Sequence, residues 1–525
     1  MKKLSIHPFR NAVPVIGMLI SVLFASCKNE ATLPVDFTEI PEKAEIFPDY
    51  QGITIPANIA PLNFMVKDSS ATEYVVHFQC KNPSSGQSAG ELLTGGGKDG
   101  KIMIDSLQWR QLLTACVGQQ IITNVYAHRP TGWVKYQSHN LYVAREPIDT
   151  YLSYRLIEPG YELYRQLGLY QRNLTNWDVH TIYENNRTYE EKNNHCINCH
   201  NYKNYSTENM LFHVRANHGG TIMIQNGKAQ KVQIKDSTII TAGVYPSWHP
   251  TQDLVAFSTN KTGQTFHLYH PEKIEVMDEA SDLLLYNPGK NEVSHILRTR
   301  NNMETFPNWS PDGKTLYYCN CELDKVLDLE TTPDSMIARE IALRYNLTRY
   351  SLMKIDFDPQ TQSFGEPQMV VDAPARNKSI TLPRVSPDGR YVLYTEGDYG
   401  QFHIWHKSSD LWVKDLQADT CYALKQANSR DVDSYHSWSS NGRWIVFSSR
   451  RDDGNYTRPY IAYFDKKGKA RKAFMLPHED PEYSLLLLRS YNVPELTTDA
   501  VSIPAKDLRD CIYGSEGEKA KYVKK

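Results

Sequence analysis

The fold is decided by a stretch that occurs four times in the second half of the chain. Residues 306–319 read FPNWSPDGKTLYYC, and the same pattern returns at 245–258, 382–395 and 435–448 as YPSWHPTQDLVAFS, LPRVSPDGRYVLYT and YHSWSSNGRWIVFS. Each copy joins an inner large side chain to a turn and then to an alternating strand. The Asp-Gly step supplies the positive φ angle that a tight hairpin needs. The stretch therefore predicts a β-structure assembled from copies of one hairpin.

The spacing and text of these copies resemble the blades of Tol-type (TolB-like, WD-like) β-propellers. Counted from Trp248, the equivalent positions follow at steps of 61, 76 and 53 residues. The shared text is W-S-P-D-G-[KR], Ser449-Arg450 and the strand Asp410-Leu-Trp-Val-Lys-Asp-Leu416. The resemblance covers residues 218–480, about half of the chain, and implies a C-terminal propeller over 218–505. Six blades are favoured over five or seven. An ordinary β-sandwich is the alternative, and the repeated Asp-Gly turns argue against it.

Length and composition set the rest of the organisation. A chain of 525 residues with a net charge of −2 has room for two to four domains and lacks the basic surplus of a nucleic-acid-binding protein. Short alternating runs between Gly- and Ser-rich turns predict an N-terminal β-sandwich over 51–148. Residues 149–217 are expected to contain a few short α-helices, because Leu152 to Asn176 is rich in Tyr, Leu and Arg. Residues 506–525 are expected to be a C-terminal tail. The fold class is therefore mainly β.

The N-terminus predicts export. Residues 1–26 combine a basic start with an apolar run of 12 residues, which is too short to span a bilayer and typical of a secretory signal. Small residues before Cys27 resemble the bacterial lipoprotein box, which implies lipidation of Cys27, with a plain signal peptide as the alternative. Residues 27–50 are expected to tether the chain to the membrane. Lys28 favours the outer membrane, on its periplasmic or surface face, so the localisation is the cell envelope.

One hexapeptide carries the chemistry. His195-Cys-Ile-Asn-Cys-His200 contains C-x-x-C-H, whose chance occurrence in a chain with nine Cys and 17 His is about 0.005. Two thiols at this spacing reach the two vinyl groups of one haem, and the adjacent imidazole ligates the iron. The sequence therefore predicts haem c bound covalently by Cys196 and Cys199, with His200 as the proximal ligand. Residues 149–217 are accordingly expected to be a cytochrome c-like haem-binding segment.

The sixth iron ligand is open in this prediction. Met210 and His213 lie three residues apart, so on a helix both would face the porphyrin. His218 is the next candidate. His249 and His267, in the first predicted blade, are considered as propeller side chains that would cover the open side of the haem.

Other interpretations of the cysteines stay open. Cys196, Cys199 and His200 with His195, His213 or His218 match a structural zinc site, and a Cys196–Cys199 redox pair is a second alternative. Cys319 and Cys321 are expected to be free buried thiols. A Cys80–Cys116 bridge is possible on sequence alone.

The sequence favours an exported, lipid-anchored monohaem c-type cytochrome fused to a propeller, acting in electron transfer or as a haem-containing docking protein. The alternative is a non-enzymatic envelope binding protein whose Cys/His cluster holds zinc or no metal. A haem-dependent oxidoreductase is the third hypothesis. The expected partners are the membrane, an unidentified redox partner, and a protein or small ligand at the propeller face.

Overall fold

A computed structural model of the chain describes residues 31–83, 90–158, 165–185, 195–514 and 516–524. Within these ranges the chain is mainly β, as the sequence predicts. The signal at 1–26 and the lipidation site Cys27 lie outside the described residues. No helix in the described ranges is both long enough and apolar enough to cross a membrane.

The N-terminal domain encloses one hydrophobic core between a large sheet and a small one. Cys80 and Cys116 form a disulfide that joins the end of β5 to the end of α1. Helix α1 starts where the Asp105 carboxylate accepts hydrogen bonds from the backbone N–H groups of Leu107 and Gln108. The large sheet holds β1, β3, β5, β6, β8, β9 and β10, and the small sheet holds β2, β4 and β7. The elements are β1 Thr38–Lys43, β2 Ile46–Phe47, β3 Thr54–Ile55, β4 Phe64–Val66, β5 Glu73–Cys80, β6 Glu91–Gly96, β7 Lys101–Ile102, α1 Ser106–Ala115, β8 Gln120–Arg129, β9 Gly132–Gln137 and β10 His139–Val143.

The rest of the chain forms successive antiparallel sheets, the blades of a propeller. Blade 1 contains β11 Tyr151–Ile157, β12 Gly168–Asn173 and β13 Val179–Glu184, and blade 2 contains β14 His195–Lys203, β15 Ser206–Ala216, β16 Gly220–Gln225 and β17 Lys228–Gln233. Blade 3 contains β18 Gly243–Trp248, β19 Val255–Phe266, β20 Ile274–Asn287 and β21 Glu292–Leu297. Blade 4 contains β22 Asn302–Trp309, β23 Thr315–Glu322, α2 Asp334–Leu343, β24 Ser351–Asp358, β25 Ser363–Phe364 and β26 Gln368–Val371.

Blade 5 contains β27 Ser379–Val385, β28 Tyr391–Gly397, β29 Asp410–Asp415 and β30 Thr420–Ala423, and blade 6 contains β31 Asp433–Trp438, β32 Trp444–Ser449, β33 Arg458–Tyr463 and β34 Phe474–Met475. The chain ends with α3 Tyr483–Leu486, β35 Ser490–Thr497, α4 Ala505–Gly514, β36 Glu518–Lys519 and β37 Lys521–Tyr522.

Strand β35 closes the ring. It pairs with β11 and so becomes the inner strand of blade 1, although about 330 residues separate the two strands. The inner strands contact one another in the cyclic order β14, β18, β22, β27, β31, β35 and back to β14. In the part of the chain that the structure describes, the propeller therefore has six blades, which confirms the number favoured by the sequence.

The structure differs from the prediction between 149 and 217. The described residues of this segment are the strands of blade 1 and the first half of blade 2, whereas short helices were expected. The propeller consequently begins at Tyr151, well before the predicted boundary at 218. Tyr and Leu residues in this segment alternate between the two faces of strands, and a composition rich in them does not distinguish strand from helix.

The predicted tether and tail also contribute to the fold. Within 27–50, β1 pairs with β9 and β2 pairs with β4, so part of the predicted tether belongs to the sheets of the N-terminal domain. Within 506–525, α4 buries Leu508 and Ile512 against blades 1 and 2. Strands β36 and β37 then extend the outer edges of blades 2 and 3 by parallel pairing with β17 and β21.

The N-terminal domain is fixed to blade 6. The turns between the first and second strands of the blades lie on one face of the ring, which we call the lower face. The opposite face is called the upper face. At the lower-face turn of blade 6 the backbone N–H of Ser440 donates to Asp149 at 2.7 Å, and Trp444 Nε1 donates to the carbonyl of Glu146 at 3.1 Å. Lys472 pairs with Asp49 at 2.7 Å. The domain core continues into blade 6 through the buried Trp444 and Phe474.

Candidate functional site

Every inner strand of the ring has the same irregularity near its middle. The register with the second strand shifts there, and the residue at the shift has a φ angle between 45° and 56°. Such a β-bulge inserts one extra residue and bends the strand. A positive φ is uncommon in residues other than glycine. Because it occurs at the same position of all six inner strands, it is a regular feature of the blade and not a local irregularity. The six residues are Cys199, Tyr245, Phe306, Leu382, Tyr435 and Val493.

These six side chains narrow the central channel. All of them line a cavity of about 30 Å³ at the axis of the ring. A space of this size holds about one or two water molecules. The bulges therefore close the channel at this level to any larger ligand.

The C-x-x-C-H motif includes one of these bulges. Cys199 is the bulge residue of blade 2, and His200 is the residue that follows it. In blades 3, 4, 5 and 1 the residue that follows the bulge is proline, and in blade 6 it is His436. The pair Cys199-His200 therefore occupies a position that the propeller repeat uses in every blade. Sequence reasoning missed this because the alignment of the copies began at residue 245.

The two thiols of the motif have different surroundings. Cys196 is buried in the apolar cluster between blades 1 and 2, and burial raises the pKa of its thiol. Cys199 lines the axial cavity instead. Both are free thiols in the structure. A porphyrin held by both sulfurs has no room in the axial cavity beside His200, because small-molecule pockets usually need about 300 Å³ or more.

The prediction of haem c is therefore wrong. In the ranges that the structure describes, no group of three or more His, Cys, Asp or Glu side chains is arranged to hold a metal ion. The same finding argues against the zinc cluster built on Cys196, Cys199 and His200. The buried His200 has its pKa lowered to about 3, first by burial and then by the charges of Arg155 and Arg384, so its imidazole is neutral at neutral pH.

The candidate sixth ligands do not lie together, because Met210 is fully buried in the apolar cluster between blades 1 and 2 while His213 and His218 line a cleft that faces blade 3. Met210 and His213 are three apart on strand β15, where odd spacing puts side chains on opposite faces, and not on one helix face as expected. His218 lies in the turn after β15, with its ring 4.4 Å from the ring of Tyr513.

The two histidines considered as closing groups do not line the axial cavity. His249 lies at a lower-face turn, where its Nε2 is 3.0 Å from the carbonyl oxygen of Gly313. His267 is in a loop of the upper face, 5.2 Å from His270 between ring centres. Cys319 and Cys321 are buried free thiols, as predicted.

A polar layer follows the bulges two residues further along each inner strand. Asn201 donates to the Glu495 carboxylate at 2.9 Å, and Asn308 accepts from the backbone N–H of Val385 at 2.9 Å. Burial raises the pKa of Glu495 to about 7, although Arg384 and the hydrogen bonds to the carboxylate act in the opposite direction. The layer consists of Asn201, Ser247, Asn308, Arg384, Ser437 and Glu495.

Arg155 connects three strands beside the motif. Its guanidinium donates to the carbonyl of Ile197 at 2.9 Å, to Asn198 Oδ1 at 2.7 Å and to Asn492 Oδ1 at 2.9 Å. Because Arg155 lies on β11, Asn198 on β14 and Asn492 on β35, this buried side chain holds the closing strand against blade 2.

A much larger cleft opens between blades 2 and 3, next to the closed axis. Its volume is about 870 Å³, and Tyr245 borders both the cleft and the axial cavity. One wall is the end of β15, with His213 and Arg215, and the other is blade 3, with Asn260 and Lys261. The lining is mostly polar, and its charged side chains are Arg215, Lys235, Lys261 and Glu516.

An extension of blade 3 crosses the upper face. We call residues 261–279 the strap; it is formed by the ends of β19 and β20, which pair up to Phe266 and Ile274. The Glu275 carboxylate lies 3.0 Å from Nε2 of His406 in blade 5. Nearby, Asp278 accepts from Asn260 at 2.8 Å, and Lys407 donates its backbone N–H to Glu272 at 3.0 Å. The strap therefore spans from blade 3 to blade 5 above the closed channel.

Replacing His200 by proline tests whether the motif histidine fills a repeat position. We expect His200→Pro to keep the fold and to change the free energy of unfolding by less than about 1.5 kcal/mol, because four blades place proline there. Denaturant unfolding measures the change. His213→Pro, in the doubly paired strand β15, is the matched control and should cost about 3 kcal/mol or more. Equal losses for the two variants would contradict the repeat assignment.

Removing the buried Glu495 carboxyl tests the polar layer. A carboxyl whose pKa is raised on folding from its usual 4.5 to about 7 stabilises the fold most at low pH, and this contribution is lost as the pH rises through about 7. Glu495→Gln should therefore gain stability relative to the unmodified protein between pH 5 and pH 8, by up to about 3 kcal/mol. Glu208→Gln, at an exposed site on β15, is the control. A gain for Glu495→Gln that did not depend on pH would disprove the shifted titration.

Comparison with known proteins gives fold-level likenesses only. No protein-family model matches the sequence, and no curated protein matches it. A solved hypothetical selenium-binding protein from Sulfolobus tokodaii is similar with a TM-score of 0.40 and 8% identity, over 69% of this chain and 97% of that one. An oligogalacturonate lyase in complex with manganese gives 0.34 and 11%, over 62% and 73%. A puromycin-hydrolyzing peptidase of Mycobacterium tuberculosis gives 0.34 and 10%, over 84% of this chain and 57% of that chain. The assignment as a propeller rests on the strand pairing described above.

Proposed function

We propose that the chain is an exported, lipid-anchored binding protein built on a Tol-type β-propeller, and that its upper face docks a protein partner in the cell envelope without catalysis. The repeat text that resembles Tol-type blades supports the family, and the lipoprotein-like N-terminus supports the localisation. The haem-dependent alternatives, electron transfer and haem catalysis, are not retained, because haem c does not fit the residues around His200.

The observation that carries this proposal is the apolar surface of the upper-face connections. At the tip of the strap Leu268 is 90% exposed and Tyr269 is 99% exposed. Leu343 at the end of α2 and Leu486 at the end of α3 are also largely exposed. Neighbouring exposed apolar side chains such as Leu268 and Tyr269 cost solubility, so proteins that carry them generally use them to bind.

A protein partner suits this surface better than a small ligand. The apolar side chains stand on separate connections of blades 3, 4 and 6, and we call them together the apolar platform. Tyrosine and leucine on such a platform are the side chains that anchor protein–protein interfaces in combination with a polar rim. The strap tip has that rim in His267, His270 and Lys273.

The N-terminal domain contacts blade 6 and the connection that follows it, whereas the strap and α2 belong to blades 3 and 4. The domain holds the lower-face turn and the outer edge of blade 6 through Asp149, Glu146 and Asp49. On the upper-face side, Lys101 pairs with Asp480 and Glu482 just before α3. With lipid on Cys27, the membrane lies on the side of this domain. The strap and α2 are then free to meet a second protein.

A photo-crosslinking amino acid in place of Tyr269 tests the docking in cells of the native host. We expect one discrete crosslinked species, lost when Leu268→Asp is added, because a charge at the tip disrupts an apolar contact. The crosslinker in place of Tyr142, exposed on the N-terminal domain, is the matched control and should give none. A Cys27→Ser variant should leave the membrane fraction. Equal crosslinking at both positions, or none at the tip, would contradict the docking proposal.

A further inference from the structure

The cleft between blades 2 and 3 contains an arginine whose charge nothing in the described chain compensates. Arg215 is on β15, opposite Cys196 in the strand register, and is exposed within the cleft. Its guanidinium makes no hydrogen bond or ion pair with any side chain in the described ranges. The side chains whose charges act on Arg215 are thiols and phenols, namely Cys199, Tyr245, Cys196 and Tyr435, and none of these four is a carboxylate.

A buried imidazole completes this wall of the cleft. His213 is 4% exposed, and its Nδ1 has no hydrogen-bond partner among the residues that the structure describes. Burial, assisted by the charge of Arg215, lowers the pKa of His213 to about 3, so the ring is neutral. A buried polar nitrogen without a partner destabilises the fold, and a hydrogen bond from a ligand offsets that loss.

The opposite wall and the rim limit the charge of an occupant. Lys261 is already paired with Glu279 at 2.8 Å, and the amide of Asn260 donates to Asp278 and Thr305. Lys235 and Glu516 lie at the rim with opposite charges. In the described part of the chain, the positive charge of the cleft wall that is left without a partner is therefore that of Arg215. A ligand with one anionic group would match it. A volume of about 870 Å³ is within the usual range for small-molecule sites.

We propose that this cleft is a binding site for a small ligand with one carboxylate or phosphate group, which Arg215 binds and to which His213 donates or offers a nitrogen. A guanidinium matches either oxyanion through two parallel hydrogen bonds. The neutral remainder of the ligand occupies the polar space towards Asn260. Lys261, at the start of the strap, borders the site, whereas the exposed Leu268 and Tyr269 are at the tip of the strap and do not line the cleft.

Titration calorimetry on the full chain with acetate, which has one carboxylate, and with inorganic phosphate tests the site. We expect one of the two anions to bind with one site per chain, and which one binds identifies the anionic group. Glycerol, a neutral polyol, should not bind. Arg215→Ala should weaken binding at least tenfold, and Arg215→Lys should weaken it less, because lysine keeps the charge but loses the paired geometry. His213→Gln should weaken it by a smaller factor.

Arg110→Ala, at an exposed position on α1, is the matched control and should bind as the unmodified protein does. Circular dichroism verifies that each variant is folded. Failure of both anions to bind, or equal binding by the Arg215→Ala and Arg110→Ala variants, would overturn the proposal. Because the crosslinking at Tyr269 does not involve the cleft, either result can fail while the other holds.

Discussion

Six β-bulges, one on each inner strand, determine how closely the blades approach the axis. Each bulge forces a non-glycine residue to a positive φ and turns its side chain towards the channel. The strain is offset because the six side chains pack against one another and leave only about 30 Å³ between them. The centre of the ring is therefore closed. Ligands and protein partners can bind in the clefts between blades or on the upper face.

The bulge position also explains why the C-x-x-C-H motif is misleading. Cys199-His200 satisfies a haem-attachment pattern and also stands where other blades have Tyr-Pro, Phe-Pro, Leu-Pro, Tyr-His and Val-Pro. The motif is short, and its chemistry depends on a structural context of turn and open pocket that the strand β14 does not provide. Aligning Cys199-His-Asn-Tyr202 with Tyr435-His-Ser-Trp438 is the signal in the sequence that points to the repeat.

The parts of the fold that could be predicted are those with local signals. The turns at Gly313, Gly389 and Gly442 have φ values of 69°, 72° and 65°, as the Asp-Gly and Asn-Gly steps predict, and they mark blades 4, 5 and 6. Blade 2 makes the equivalent turn with Asn204 and Tyr205 at φ values of 51° and 65°, without glycine, so the pattern is hidden. Blade 1 takes its inner strand from the far end of the chain, and no local pattern reveals such a pairing. The cleft at Arg215 depends on two blades meeting and was likewise beyond the sequence.

The account depends on Cys199 and His200 being structural residues of a closed ring, and an optical spectrum tests this most directly. The full chain should be produced in a host with a working cytochrome c maturation system and purified from its membrane fraction. The account predicts a colourless protein without Soret absorbance, whose thiols at positions 196 and 199 react with a maleimide after unfolding. A Soret band that persists through acidic acetone extraction, with the mass increase of one haem, would contradict it.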